Sequence, residues 1–363
     1  MENPLLGYFG TKHQSAPFTK IMPKHFIPAI EKDIQESLEA IDKIINQTSQ
    51  PSFDNTIDAL QYIGEFLERN SALLFNLNSA ETTEEIQKIT QQASPILTKF
   101  QNDVRLNQAL FERIKTVYEN RENENLTTEQ LALLEKEFKG FTRNGALLSQ
   151  NKKDILREID TKKAQLSLKF GENVLADTNS FSLHVTEEKE LKGIPDQVKE
   201  MAADIAKSKN KTGWVFTLDY PSYVPFMTYL EDRSLRRKMS LAFGKRGFQE
   251  NDHNNSEIIL KLIELRKKRA ELLGYESHAS FVLEERMAGS EEKVNNFLED
   301  LYQKALPAAK KEWEELENFA KENLNLDKIE KWDTAYVSEK LKQAQLDLNE
   351  QLLKPYFPLE KVK

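Results

Sequence analysis

A chain of 363 residues is long enough for a sizeable core and for about two domains. Its charged fraction is 30% against 39% apolar, and the formal net charge of −8 comes from mixed signs without an acidic or basic tail, which disfavours nucleic acid as a partner. There is no cysteine, so disulfides, thiol nucleophiles and thiolate metal sites are excluded and a reducing compartment is permitted.

With only 12 Gly and 12 Pro, tight turns are few and the elements should be long. The first residues, Met1 to Leu6, carry neither the basic nor the apolar stretch of a signal peptide, and no run of about 18 apolar residues occurs. No membrane span is expected, and a cytoplasmic setting is.

Helical periodicity begins at Pro28, where Ile30, Ile34, Leu38, Ile41 and Ile45 recur at spacings of four and three. Thr82 with Glu85 has a capping-box pattern, as does Thr127 with Gln130 ahead of Leu131, Leu134 and Phe138. A further amphipathic run holds Ile155, Ile159, Leu166, Phe170 and Val174. Alternation over 180–185 and the β-branched, aromatic segment 214–218 predict a small antiparallel pair near 180–186 and 214–218. A helix over 195–208 and a polar loop over 209–213 separate the two. Segments 254–273, 276–287 and 290–325 read as helices, with a kink expected at Pro307. Pro358 suits a first helical turn that Leu359, Glu360 and Lys361 continue, so the sequence reads as the front part of something longer. The pattern predicts a mainly α fold, an elongated multi-helix lobe. A 1–178 helical lobe precedes a 179–363 helical continuation that carries the β insertion.

Catalytic chemistry is hard to place. Helical zinc hydrolases mount two histidines four residues apart with a glutamate beside the first. No two of His13, His25, His184, His253 and His278 share a helical turn. His253 with Glu257, and His184 with Glu187 and Glu188, are single pairs that fit solvated or capping roles better than metal ligation. No Gly-x-Ser-x-Gly elbow exists, and Gly244-Lys245-Arg246-Gly247 is too short for a phosphate loop. Catalytic residues: none in this chain; metal ligands: none.

Six cations, Arg233, Arg236, Arg237, Lys238, Lys245 and Arg246, fall within fourteen residues, interleaved with Leu235, Met239, Leu241 and Phe243. They make either an amphipathic helix whose arginines pair with nearby acids or an anion-binding surface that meets a peptide carboxylate. Just upstream, Asp219-Tyr220-Pro221-Ser222-Tyr223-Val224-Pro225-Phe226 reads as a proline-stiffened turn carrying two tyrosines. Tyr220, Tyr223, Arg236 and Arg246 are therefore the substrate-channel candidates, with packing as the alternative role for the tyrosines.

These segments carry a family likeness. Asn3-Pro4-Leu5-Leu6, Pro51-Ser52-Phe53-Asp54-Asn55-Thr56-Ile57, Phe75-Asn76-Leu77-Asn78-Ser79-Ala80, residues 131–145, 218–227 and 265–275, Arg286-Met287-Ala288 and Trp332-Asp333 follow one another in order. They resemble the N-terminal half of the thimet oligopeptidase family of zinc metallopeptidases, nearest its bacterial peptidyl-dipeptidase (dipeptidyl carboxypeptidase) branch. Tyr336-Val337 departs from the two aromatics the family tends to show there. The resemblance implies a neurolysin-like, two-lobed helical body around a deep channel. It also implies hydrolysis of short peptides, with release of C-terminal dipeptides in that branch, and a zinc held by an HExxH helix and a downstream glutamate. No HExxH occurs in this chain. The chain is thus expected to be a channel-wall segment, inactive alone and binding no zinc itself, whose partners are short peptides and an absent C-terminal catalytic half. Self-association through apolar faces left open, along Leu341, Leu346, Leu348, Leu352 and Leu353, is also expected. The alternative is a non-catalytic helical binding or scaffold protein that kept the fold without the active site.

Overall fold

The structure, a computed structural model, describes residues 3–347 and 353–362. Its elements in chain order begin with α1 (Phe26–Ile45), a helical turn (Phe53–Asp58), α2 (Ala59–Gln61), α3 (Glu65–Ala80), α4 (Glu84–Arg105), α5 (Gln108–Glu119), α6 (Thr128–Arg143) and α7 (Gln150–Ser180). Next come β1 (Leu183–Val185), α8 (Asp196–Ser208), β2 (Trp214–Phe216), α9 (Tyr220–Tyr229) and α10 (Arg233–Gly244). The last are α11 (Ser256–Leu272), α12 (His278–Leu283), α13 (Glu291–Leu324), α14 (Thr334–Leu346) and α15 (Leu359–Val362). The fold is mainly α with one two-stranded antiparallel sheet, as the patterning predicts.

The chain divides into two compact units. Residues 1–169 and 258–286 form the first; residues 170–257 and 287–363 form the second. The units are discontinuous in sequence, unlike the 1–178 and 179–363 division that periodicity suggests.

The first unit holds two cores. In one, Phe26, Ala29 and Ile30 of α1 meet Leu67 and Leu74 of α3 and Ile86, Ile89 and Ala93 of α4. Leu5 joins this core because Asn70 Nδ2 and Arg69 Nη2 both donate to its carbonyl, at 3.1 and 2.9 Å. In the other, Ile41 and Ile44 close on Leu110, Phe111 and Ile114 of α5 and on Leu134 and Phe141 of α6. The segment Ser52–Thr56 is a clip for this core. Ser52 and Asn55 cap one another, at 3.3 and 3.0 Å, while buried Arg113 donates to Asn55 Oδ1 at 3.1 Å. Further on, Gly274 turns the chain at φ +87°. Tyr275 then donates to Glu284 Oε2 at 2.5 Å, beside the 2.6 Å Arg143–Glu284 pair that fixes α12.

The second unit packs α8 against the hairpin. Val185, Val198, Ala202, Phe216, Phe226, Leu235 and Met239 form its main core. The register sets Leu183 opposite Phe216 and Val185 opposite Trp214. A satellite core joins Ala320, Ile329, Tyr336 and Val337.

Several local expectations shift. The N-cap of α4 is Thr83, which accepts from Ile86 N at 3.2 Å, while Thr82 turns away to Asn78. The Thr127–Gln130 box forms as read. On α7 the inward residues are Leu156 and Ile159, with Ile155 and Phe170 exposed, because polar Lys153, Asn173 and Asp177 share the buried stripe. The 219–226 segment is helical rather than a turn: Pro221 sits in the first turn, where its missing N–H costs nothing. Helix α13 runs through Pro307 without interruption. Ser290 and Asn325, the ends read from sequence, are its caps. Leu346 and Leu353 are exposed as expected and Leu341 is half-buried; Leu348 and Leu352 lie outside the described residues.

Candidate functional site

The candidate surface is built on α9 and α10 of the second unit. Thr217 donates through its backbone N–H to Ser222 Oγ at 3.0 Å, and Phe226 packs on Phe216 with ring centroids 4.7 Å apart. Those contacts fix the buried face of α9; Tyr223 is half-buried against the same core, and Tyr220 is exposed. Helix α10 starts at Asp232, whose carboxylate accepts from Ser234 N and Leu235 N at 2.8 and 3.0 Å. Leu235 and Met239 enter the core; Phe243 lies at the far end of the same helix.

Three of the four candidate residues gather on the Phe243 ring. Tyr223 stacks on it at 4.1 Å and 18° between planes, and Tyr220 meets it edge-on at 6.1 Å and 85°. From the other direction, the Arg246 guanidinium lies 3.6 Å from the ring centroid, a cation–π contact. Arg246 is oriented by donating Nε–H to Phe243 O at 2.9 Å and Nη1–H to Thr178 Oγ1 at 3.3 Å. Its Nη2 has no partner among the described residues and is left to take an acceptor. Tyr220 is 70% exposed. Burial pushes the Tyr223 phenol above its usual value, against a hydrogen bond with Ser240 and the field of Arg246, so it stays a neutral hydroxyl at physiological pH. With both faces of Phe243 covered, the chemistry on offer is the exposed Tyr220 ring beside one cation: it can stack a side chain and bind an anion, but it has no group that makes or breaks bonds.

Arg236 does not join this surface. Only 1% exposed, it donates Nη2 to Asp333 Oδ1 at 2.8 Å, Nη1 to Leu230 O and Glu231 O at 2.8 and 2.9 Å, and Nε to Trp332 O at 3.1 Å. Arg233 binds the same carboxylate at 2.7 Å. Burial alone pushes the Asp333 carboxyl up, but the hydrogen bonds from Arg233 and Arg236 outweigh it and hold it below the usual range. The basic stretch is therefore divided: its start is an internal ion-pair knot, its end faces outward. A single sequence shows no sign of that division, because Asp333 lies about a hundred positions away.

Behind Arg246 the backbone is tightly placed. Gly247 has φ +68°, and a Cβ there would meet Asn255 Nδ2 at 2.8 Å. Its N–H donates to Asp177 Oδ2 at 2.7 Å. Phe243 and Gly247 are the residues that sequence reasoning passed over; the interleaving of Phe243 with the arginines was the available signal.

No metal centre arises from the histidines. His25 is buried with Nδ1 accepting from Met22 N at 3.0 Å, His184 bonds Thr212 O at 2.6 Å, and His278 stacks against Phe281. Among the described residues no group of three or more His, Asp or Glu converges to hold a metal ion. No helix of the described residues is long and apolar enough to cross a membrane.

Known proteins match both parts of this framework. Residues 27–153 match the neurolysin/thimet oligopeptidase N-terminal domain, and residues 226–363, which include α10 and Arg246, match peptidase family M3. Oligopeptidase A of Escherichia coli is 31% identical over 365 residues, covering 99% of this chain and 53% of that protein. Dipeptidyl carboxypeptidase of the same organism is 31% identical over 362 residues, with the same two shares. Probable cytosolic oligopeptidase A of Arabidopsis thaliana is 30% identical over 369 residues, 99% of this chain and 52% of its own length. The chain thus spans about half the length of the curated relatives it matches. Matched in both segments and aligned along nearly its whole length, the chain is similar to the neurolysin/thimet oligopeptidase N-terminal domain and to peptidase family M3.

Proposed function

We propose that this chain is a non-catalytic wall segment of a zinc peptidase that hydrolyses short peptides, with release of C-terminal dipeptides as one form of that activity. Metal and bond cleavage are assigned to polypeptide beyond these 363 residues. The observation that carries the reading is the combination of half-length coverage of peptidase relatives with histidines that do not converge. Equal identity to an oligopeptidase A and a dipeptidyl carboxypeptidase favours neither specificity. A cytoplasmic setting belongs to the same proposal, and a chain without cysteine is compatible with it.

Within this reading the Tyr220–Tyr223–Phe243–Arg246 shelf meets the peptide: the exposed Tyr220 ring takes a side chain and Arg246 Nη2 takes a carboxylate or carbonyl oxygen. Arg236 serves only to position α10. The chain alone should bind no zinc stoichiometrically, by elemental analysis after dialysis, and should leave a quenched fluorescent peptide intact. One zinc per chain together with peptide turnover would overturn the assignment. In an enzyme that contains this chain with the remaining half, Tyr223→Ala and Arg246→Ala should each raise KM several-fold, about 1 kcal/mol of lost binding, with kcat little changed. Unchanged KM in both variants would remove the shelf from the substrate path.

A further inference from the structure

Helices α1 and α3 pack together, and the turn between α2 and α3 leaves a cavity of about 190 Å³ beside them. Its walls come from α1, from residues 62–64 and from the start of α3, all within the first unit. The charged groups of the lining are Asp33, Glu36 and Glu65, three carboxylates and no cation.

Acidic side chains on a helical surface are ordinary, but Asp33 is not on the surface. It is 5% exposed. Its Oδ2 accepts from Asn70 Nδ2 at 2.7 Å, the one hydrogen bond this carboxylate makes among the described residues. Oδ1 has no partner there and, although its residue is buried, stays reachable from the cavity. A buried carboxylate without a counter-ion is costly. Burial raises the Asp33 pKa; the Asn70 bond opposes the rise, Glu36 adds to it, and Arg69 and Lys32 oppose it without cancelling it.

The nearby cations are committed elsewhere. Lys32 pairs with Glu36 at 3.4 Å. Arg69 donates to Gly7 O at 2.8 Å, to Leu5 O at 2.9 Å and to Asn70 Oδ1, and its guanidinium lies 4.0 Å from the Phe9 ring centroid. Neither cation lines the cavity. Glu65, exposed in the first turn of α3, makes no salt bridge among the described residues.

The partner that Asp33 lacks is therefore a cation, and the cavity selects its kind. Among the described residues no three acidic groups converge to hold a metal ion; these carboxylates surround a space instead, which suits a molecular cation. Tyr62 lines the cavity and is 77% exposed, with no aromatic or cationic neighbour among the described residues, so its ring is open to the same charge. Pockets for drug-sized ligands run to about 300–1,000 Å³; this smaller one suits a single charged group on a short chain. An ammonium, with three N–H donors that need no planar fork, can serve carboxylates on several sides at once.

We propose that this cavity binds a primary ammonium group on a short alkyl chain, either the side chain of a peptide lysine or a free alkyl diamine. The ammonium donates to Asp33 Oδ1 and lies between Glu36 and Glu65, with the Tyr62 ring on its open side. The site belongs to the first unit and does not depend on the peptidase reading.

The test is titration calorimetry of the full chain with Nα-acetyl-lysinamide, diaminobutane and Nα-acetyl-norleucinamide; the last keeps the alkyl chain and lacks the ammonium. Binding of an amine, with at least about tenfold weaker binding of the norleucine compound, is expected. The tighter of the two amines identifies the lysine side chain or the diamine as the source. Asp33→Asn keeps an acceptor for Asn70 and removes the charge. It should weaken the amines about tenfold while the unliganded chain melts at an equal or higher temperature. Glu65→Gln, a change at an exposed side chain, should weaken them about threefold. Equal binding of the norleucine compound, or no amine binding to the folded chain at about 10 mM, would overturn the proposal. So would wild-type affinity in Asp33→Asn or, should that variant not fold, in Glu65→Gln.

Discussion

Asp333 shows at the residue scale how much a single buried group can hold. Its carboxylate receives Arg233 and Arg236 and also accepts from Glu330 N at 3.0 Å, so Asp333→Ala leaves Arg236 buried without a counter-charge. The expected cost is roughly 3–5 kcal/mol, read by urea denaturation. His25 gives a pH signature of the opposite polarity class. Burial, then the nearby Lys24, lowers its pKa, and Nδ1 must stay unprotonated to accept from Met22 N. The unfolded chain then binds the proton more readily, so this stabilisation is complete above pH of about 6.5 and is lost as pH falls through the lower folded value. His25→Asn, which keeps an acceptor but cannot titrate, should lose less melting temperature than the wild type between about pH 7.5 and about pH 5. An equal loss in both would place the acid sensitivity elsewhere. Neither role was legible in the sequence, where His25 and Asp333 look like ordinary polar residues. Their roles follow from burial, which depends on neighbours tens of positions away.

Elements were more legible, because helix and strand patterns are written within a few residues. The runs over α1, α8, α11 and α13 were readable from spacing, and so was the hairpin. Errors gathered where two neighbouring residues could play one part. Thr82 and Thr83 both precede acidic residues, and only geometry chooses between them. Thr83→Ala should destabilise by about 1 kcal/mol, Thr82→Ala by under about 0.5, in the same denaturation assay. The 219–226 segment misled because two prolines suggest a turn, although proline in a first turn is compatible with helix. Helix α13 carries the other unexpected feature: Phe297 and Leu301 are 66% and 52% exposed, with Leu298 and Tyr302 beside them. An exposed apolar face of this kind should drive concentration-dependent association. Phe297→Glu with Leu301→Glu should abolish it in sedimentation velocity without lowering the melting temperature; persistence of the larger species would assign it to another face.

For the whole molecule, the mainly α fold and the family likeness were both within reach of the sequence, since many short likenesses in order add up where one would not. Of the four channel candidates read from sequence, Tyr220, Tyr223 and Arg246 gather on Phe243, named there only as a residue between the arginines, while Arg236 is internal. The Asp333 ion-pair knot left no local trace, because its members lie about a hundred positions apart. The same discontinuity has a consequence for synthesis on the ribosome. Asp160 receives its Arg269 partner across 109 positions, and Arg236 receives Asp333 across 97. At about 5–20 residues per second, each carboxylate–arginine pair waits roughly 5 to 20 s after its first member is made. The two nascent units overlap in time, and neither can be finished and released from chaperone surveillance before the other has begun.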